Sequence, residues 1–468
     1  MKYGHERVSH LSNFLSSLGD KQGEQMPDRA KIMLPTCMTQ KSAYKEYADD
    51  HETPFSYRHF QRVWKERCPD MKASERSAFT ECKECSMFKQ LKLSKLTKEQ
   101  RVKLQQQKKA HLLMARIARE KYYKHSKKAA DRPDKYLSII IDNMDQAKTN
   151  LPRFPTYHKG DATLTRVHHH VTGVLEHGQK KPYLFTWTDK FPCDANITIN
   201  CLLKVLEDVS NDMSLPPTLY IQADNSAKDN KNVILMGFLA SLVQQRIVKK
   251  IKLSFLMVGH THEDELFSRV SVHISRTPIQ TLPVLQELSR EAYNPTPHVE
   301  HLENIWDYRQ LGLSSSVHLV GHSTPHVFKF TREGDQVFMS YKEWPLKSSP
   351  YKKVDVTGLA SAFQEDPEAK TQMTEKGGRV FQAMDVDLQK WEDGGKLSSS
   401  DVEWWRQHLA RERQFPAPTA KKASEFLHHS MGEDGPAVPL PAMQGLENHI
   451  RNLRRESTVK VVNRRSRD

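Results

Sequence analysis

Three apolar runs, "YLSIIID", "TLYIQADN" and "SFLMVGHTHEDE", each end in acidic residues, and this repeated ending constrains the fold more than any other feature. Such runs, rich in Ile, Tyr and Phe, describe strands buried on both faces, which belong in a sheet covered by helices on both sides. "RVHHHVTGVLEHGQKKPYLFTWTDKF" reads as two strands around a turn at Gly178 to Pro182. "NITINCLLKVLEDVS" and "NKNVILMGFLASLVQQ" have helical apolar spacing, and "THEDELFSRVSVHISR" enters a third helix. The order is therefore β-β-β-α-β-α-β-α. Three antiparallel strands come first, and the alternating units after them add parallel strands with helices on both faces.

That order predicts an α/β fold with an RNase H-like mixed sheet over residues 133–290. In an open α/β sheet, ligands gather beyond the carboxyl ends of the strands. Asp142 closes the first strand and Asp224 the fourth, so adjacent parallel strands would bring both to one end. The helix entered at "HEDE" would lean Asp264 and Glu265 towards them. A single acid at such a place is more often a cap, favoured by the helix dipole. Three converging carboxylates need a cation, and hard oxygen ligands select Mg²⁺ or Mn²⁺. His260 and His262 would be further metal ligands or phosphate donors. Two such ions about 4 Å apart suit in-line phosphoryl displacement. Other chemistries find no support: there is no GxSxG, GxGxxG or P-loop, and neither Cys193 nor Cys201 has an activating context. The exonuclease pattern Asp-x-Glu is missing from "DNMD". His168, His169 and His170 lie on a strand, where alternation turns the middle one away, so they are not expected to form one metal cluster.

Around this core the chain divides into five further segments. Residues 1–40 are polar and expected to be loose. Residues 41–95 read as two short helices broken at Pro54, with Ser56 as N-cap of the second. Phe60, Val63 and Trp64 share its inner face and Arg58, Arg62 and Lys65 point outward. This pattern fits a helix-turn-helix that reads a major groove, and equally a small helical packing unit with a basic face. In the same segment Cys82 and Cys85 form a CxxC, half of a zinc site, for which Cys68, Cys37, His59 and His111 are candidate partners; two ordinary cysteines at a helix start are the alternative. Over residues 96–132 a capping box, "TKEQ", opens a long basic helix. Residues 291–355 carry a small β extension with a hairpin, "HVFKFTREGDQVFMSYKEW". Residues 356–468 read as a linker, a short helix opened by Ser400 and Glu403, and a basic tail.

With 37% apolar residues and a mean hydropathy of −0.70, much of the 468-residue length must be surface. The net charge of +14 and pI near 9.3 favour a polyanionic partner, DNA first, with Lys148, Arg153 and Lys228 beside the acids as phosphate contacts. The longest apolar stretch, "VILMGFLASLV", falls well short of the roughly 20 residues of a membrane span. The start, "MKYGHERVSH", has no apolar core of a signal peptide. Six irregularly spaced cysteines suit a reducing compartment. An intracellular protein, nuclear if DNA is its partner, is expected, and a homo-oligomer is compatible with all of this.

"YLSIIIDNMDQAKTNLPRFP", "QADNSAKDNKN" and "VGHTHEDE" resemble an uncharacterised animal domain family whose members look like captured or relic transposases. The resemblance covers roughly residues 40–350, including "FTECKEC" and the "FKFTREGDQVFMSYKEW" hairpin. It implies a relation to DDE/D transposases and integrases, with Asp142 as first acid and Asp224 as second. "GHTHEDELFSR" is about two residues shorter than the family pattern, so Asp264 or Glu265 would stand for the third. The implied activity is DNA strand transfer or a nuclease reaction. The alternative is a domesticated, catalytically silent DNA-binding protein.

Overall fold

The computed structural model describes residues 5–22, 24–25, 32–34, 39–73, 82–94, 96–145, 148–256, 264–315, 317–346, 348–426 and 459–463. Two compact units divide the chain, one built from residues 1–124 with 257–262 and the other from the remainder.

In the first unit, helices α1 (His5–Gln22), α2 (Gln40–Asp49) and α3 (Tyr57–Arg67) surround one apolar cluster. Leu11, Leu15 and Leu18 of α1 are buried in it, so part of the segment expected to be loose is an amphipathic helix. Strands β1 (Glu24–Gln25), β2 (Ile32–Leu34) and β3 (Met71–Ala73) form a small sheet. Ser56 caps α3 as expected, accepting from the His59 amide at 3.4 Å. Phe60, Val63 and Trp64 are buried, and Arg58, Arg62 and Lys65 are exposed. The connection over residues 50–56 is longer than the three- or four-residue turn of a helix-turn-helix, a departure from that expectation. Helix α4 (Lys83–Leu93) follows, and α5 (Lys98–Asp131) starts at the Thr97/Gln100 capping box read from "TKEQ".

The second unit is a mixed α/β structure on a ten-strand sheet. Its elements run β4 (Tyr136–Asn143), β5 (Asn150–Leu151), β6 (Val167–Glu176), β7 (Lys181–Thr188), α6 (Ala195–Asp212), β8 (Thr218–Ala223), α7 (Val233–Gln244), β9 (Lys250–Phe255), α8 (Asp264–Arg276), α9 (Leu282–Glu291) and β10 (His298–His301). After them come α10 (Tyr308–Ser314), β11 (Val317–Val320), β12 (Val327–Glu333), β13 (Gln336–Lys342), β14 (Lys352–Asp355), α11 (Thr357–Ser361), α12 (Glu375–Asp393), α13 (Ser399–Glu412) and β15 (Lys460–Asn463). The strand order is β10-β7-β6-β4-β8-β9-β12-β13-β14, with β5 on β6. β4 is antiparallel to β6 and parallel to β8, and β8 is parallel to β9.

Both faces are covered, which explains the unbroken apolar runs. Ile139, Ile141, Leu219, Ile221, Leu253 and Phe255 meet α6 and α7 in one core. Val171 and Leu184 meet α8, α9, α12 and α13 in another. Each fully buried Leu, Ile or Phe contributes roughly 1.5–3 kcal/mol by leaving water, so α7, buried from Leu235 to Val243, is fixed mainly by packing.

Three expectations change here. The hairpin β12–β13 is not a separate small extension, because β12 pairs antiparallel with β9 and continues the main sheet. The segment read as a linker contains α12, which buries Phe381, Met384, Leu388 and Trp391 at helical spacing. The cap of α13 is Ser398 with Asp401, two residues before the Ser400/Glu403 pair.

A pH prediction arises at the β6–β7 turn. His177 is buried, its Nδ1 donating to the Ser138 carbonyl at 2.9 Å, and burial lowers its pKa to about 4. The unfolded chain takes up the proton near pH 6.5 and the folded chain does not. Stability from this group is therefore full above pH 6.5 and declines as pH falls towards 4, by at most ~3 kcal/mol. Denaturation midpoints between pH 7 and 4 should slope less steeply in His177→Asn than in wild type.

Candidate functional site

The acids that close two parallel strands are neighbours by register. Ile141 pairs with Ala223, so Asp142 and Asp224, one step on, stand abreast at the carboxyl ends of β4 and β8. Strands lie about 4.8 Å apart, and side chains one step beyond a paired couple share a face. On the other side of β4, Asp142 pairs with Gly173 of β6. A Cβ at Gly173 would lie 2.7 Å from the Phe267 ring and 3.6 Å from Leu266, so α8 crosses the sheet directly on the Asp142 face. Helix α8 begins at Asp264, less than one turn before Phe267. Its first turn, the backbone of Asp264 and Glu265, therefore starts at the rim that carries the two aspartates. His260 and His262 lie outside the described residues, as do the side chains of Asp264 and Glu265.

The loop after β8 is built to hold Asp224. Its Oδ1 accepts from the Asn230 side chain and from the Ser226 amide at 3.2 Å. Burial pushes its carboxyl pKa up; these two hydrogen bonds pull it down, and the charge of Asp229 adds to the rise. Asp142 Oδ1 accepts from the Asn143 amide at 2.8 Å. A half-buried carboxylate repelled by another acid is a group that a cation would stabilise.

Lys231, three residues beyond the expected Lys228, is only 2% exposed at this rim. Its Nζ donates to Asn225 Oδ1 at 2.9 Å and lies 5.1 Å from the centre of the Phe255 ring. Burial lowers its pKa to about 8. Lys231 thus clamps the loop that carries Asp224. The only sequence signal was its place in "KDNKN", which does not separate it from Lys228, an exposed residue. Lys148 reaches Ser271 of α8 at 3.4 Å, and the Arg153 backbone pairs with Ile279. Lys148 therefore sits beside the helix that reaches the rim, whereas Arg153 lies past the end of α8, farther from it.

In the first unit the CxxC finds a partner. The Cys82 and Cys85 sulfurs lie 3.4 and 3.3 Å from His111 Nε2, and all three ligand atoms fall within 4.8 Å of one another. Tetrahedral zinc with ordinary bond lengths separates a sulfur and a nitrogen by roughly 3.5 Å. Glu84 contacts His111 Nδ1, the outer support that metal-bound histidines commonly have. Of the partners considered from sequence, His111 joins, Cys68 and His59 are not in the group, and Cys37 lies outside the described residues.

Strand alternation separates the histidine run, as expected. His168 and His170 meet Asp189 at 3.1 and 3.0 Å. Lys376 stands 3.0 Å from the same carboxylate. Burial opposes the charge on Asp189, but hydrogen bonds from His168, His170 and Lys376 hold its carboxyl well below the usual range. An ammonium already fills the position a metal ion would take.

Compared with known proteins, residues 159–347 match a domain of unknown function (DUF7869). Neither a curated protein nor a solved structure matches the chain. Among the described residues, no helix is long and apolar enough to cross a membrane.

Proposed function

We propose that this protein acts on DNA by divalent-metal-dependent phosphoryl transfer, with Asp142 and Asp224 as two of its acids and Asp264 or Glu265 as the third. The observation that carries this reading is the pairing of Ile141 with Ala223, which sets the two aspartates side by side. The run of strands β7-β6-β4-β8-β9, antiparallel for the first three and parallel from β4 onward, supports an RNase H-like core. Asp142 and Asp224 would hold Mg²⁺ or Mn²⁺, which when bound activates an attacking oxygen and stabilises the leaving one. The chain's own part is positioning. Asn230 and Ser226 orient the Asp224 carboxylate, Lys231 holds their loop, and Phe267 seats α8 on Gly173. Cys82, Cys85 and His111 would take a structural Zn²⁺.

Supercoiled plasmid incubated with the purified chain and Mg²⁺ or Mn²⁺ tests the reading: nicked or joined product is expected, and its absence with both ions refutes catalysis. The exposed Arg58, Arg62 and Lys65 favour a second reading, DNA binding without chemistry, in a nuclear protein. Both readings predict that affinity falls steeply between 50 and 200 mM salt through counterion release. Replacing these three cations with Ala should flatten log K against log salt by about 0.9 for each phosphate no longer neutralised. An unchanged slope would remove α3 from the interface.

A further inference from the structure

His169, His301, His408 and Glu412 come from three separate elements and meet within the second unit. His169 points to the opposite face of β6 from its two neighbours, His301 ends β10, and His408 and Glu412 are one turn apart on α13. His169, His408 and Glu412 are 0%, 3% and 2% exposed, so water cannot compensate a charge among them. The Nε2 atoms of His169 and His408 are 3.2 Å apart, and His301 Nε2 is 3.0 Å from Glu412 Oε1. The ligand atoms of His301, His408 and Glu412 all lie within 4.8 Å of one another.

The outer atoms decide how these rings face inward. His169 Nδ1 lies 3.3 Å from the Val167 carbonyl, which only accepts, so Nδ1 carries the hydrogen and Nε2 presents a lone pair. His301 Nδ1 is 3.0 Å from the Thr186 hydroxyl, whose one hydrogen goes either to that nitrogen or to the Glu300 carbonyl at 3.3 Å. In the first case His301 Nε2 donates to Glu412 Oε1; in the second its Nε2 lone pair faces that oxygen 3.0 Å away, and a cation between them would hold the pair together. Thr188 donates to Glu412 Oε2, fixing the carboxylate so that Oε1 faces the histidines. Nearby Lys190 does not fill this gap, because its Nζ is bound to the carbonyls of Glu303 and Gln414. Beside Asp189 a lysine does complete the cluster; here the protein supplies none among the described residues.

We propose that His301, His408 and Glu412, with His169 packed beside His408, form a buried structural zinc site that fastens α13 to the sheet. Neighbouring ligand atoms on tetrahedral zinc are separated by roughly 3.3 Å, close to the 3.0 Å between His301 Nε2 and Glu412 Oε1. Two imidazoles and one carboxylate select zinc over the magnesium or manganese proposed for the aspartate rim. Thr186 and Thr188 give two of the three ligands the outer support typical of metal sites. The site is distinct from the rim, since His169 lies four residues along β6 from Gly173, roughly 13 Å at the rise of a strand.

The test uses the full chain carrying Cys82→Ser and Cys85→Ser, so that the thiolate cluster cannot hold metal. After loading with Zn²⁺ and exhaustive dialysis, elemental analysis should find about one zinc per chain. Adding His408→Gln should lower that content at least tenfold, and adding His301→Gln should weaken retention similarly if the first variant does not fold. In the Cys→Ser chain, chelation with phenanthroline should lower the Tm, and added Zn²⁺ should restore it. Co²⁺ loaded into the same folded chain should give tetrahedral d–d absorption without a thiolate charge-transfer band. A Cys→Ser chain that holds no zinc and melts identically with and without chelator overturns the proposal, and the cluster is then a hydrogen-bonded histidine core. Zinc that persists undiminished in both histidine variants overturns it as well.

Discussion

Asp224→Asn is expected to lower metal-dependent nicking by roughly three orders of magnitude while leaving DNA affinity unchanged. Removing one preorganised charged group from a reacting centre costs about 10²–10³ in rate, and losing a metal ligand also weakens the ion's affinity. Stability should move the other way. Burial pushes the Asp224 carboxyl pKa up and Asp229 repels it, so in metal-free buffer the ionised side chain opposes folding. The pKa of this group is raised in the folded state, so its unfavourable contribution is present at neutral pH and disappears as pH falls through the folded value. Asn keeps an oxygen that can accept from Asn230 and Ser226 and carries no charge, so the variant should melt at or above the wild-type Tm in EDTA. Mn²⁺ should raise the Tm of wild type, because it binds only the folded state, and should shift the variant little. Lost activity together with unreduced stability marks a site kept for function, since a structural acid would show both falling together. Asp142→Asn should reproduce the loss of nicking. A variant that nicks at the wild-type rate would remove the aspartates from the chemistry.

The rim was readable because two independent signals agreed in the sequence. The apolar runs "YLSIII" and "TLYIQA" made their strands central, and the helical spacing between runs made β4 and β8 parallel, which put Asp142 and Asp224 at one end. What lay hidden depended on contacts between distant segments. His301 and His408 each stand alone in "EHLE" and "RQHLARE", and no local pattern links either of them to His169. Only the one-turn spacing of His408 and Glu412 pointed to a shared face. Gly377 and Gly378 in the first turn of α12 give that segment the composition of a linker, although the spacing of Phe381, Met384, Leu388 and Trp391 is a helical stripe. Pairing of β12 with β9 was equally invisible, since a hairpin's own sequence fixes its register but not the edge it joins.

Trp405→Ala should cost the second unit about 3–5 kcal/mol, the range for deleting a fully buried aromatic side chain. Trp405 is 0% exposed, and its Nε1 donates to the Gln280 carbonyl at 2.9 Å. Its ring centre lies 5.9 Å from that of His169 and 5.6 Å from that of His408. It packs in the same cluster as Phe267 of α8 and Val171 of β6, so it joins α13 to the sheet face that carries Asp142. Trp405→Phe keeps most of the volume and loses the hydrogen bond, so a smaller cost of about 1–2 kcal/mol is expected. Domains of ordinary stability have about 5–15 kcal/mol in total, so Trp405→Ala should remove about a fifth or more and shift the urea midpoint clearly. Nicking, measured well below the lowered Tm, should stay within twofold of wild type, because Trp405 supports the layer and touches no acid of the rim. A cost below about 1 kcal/mol would mean that α12 and α13 unfold separately from the sheet, and the chelator-induced loss of Tm expected of the histidine cluster would then report that separate unit alone.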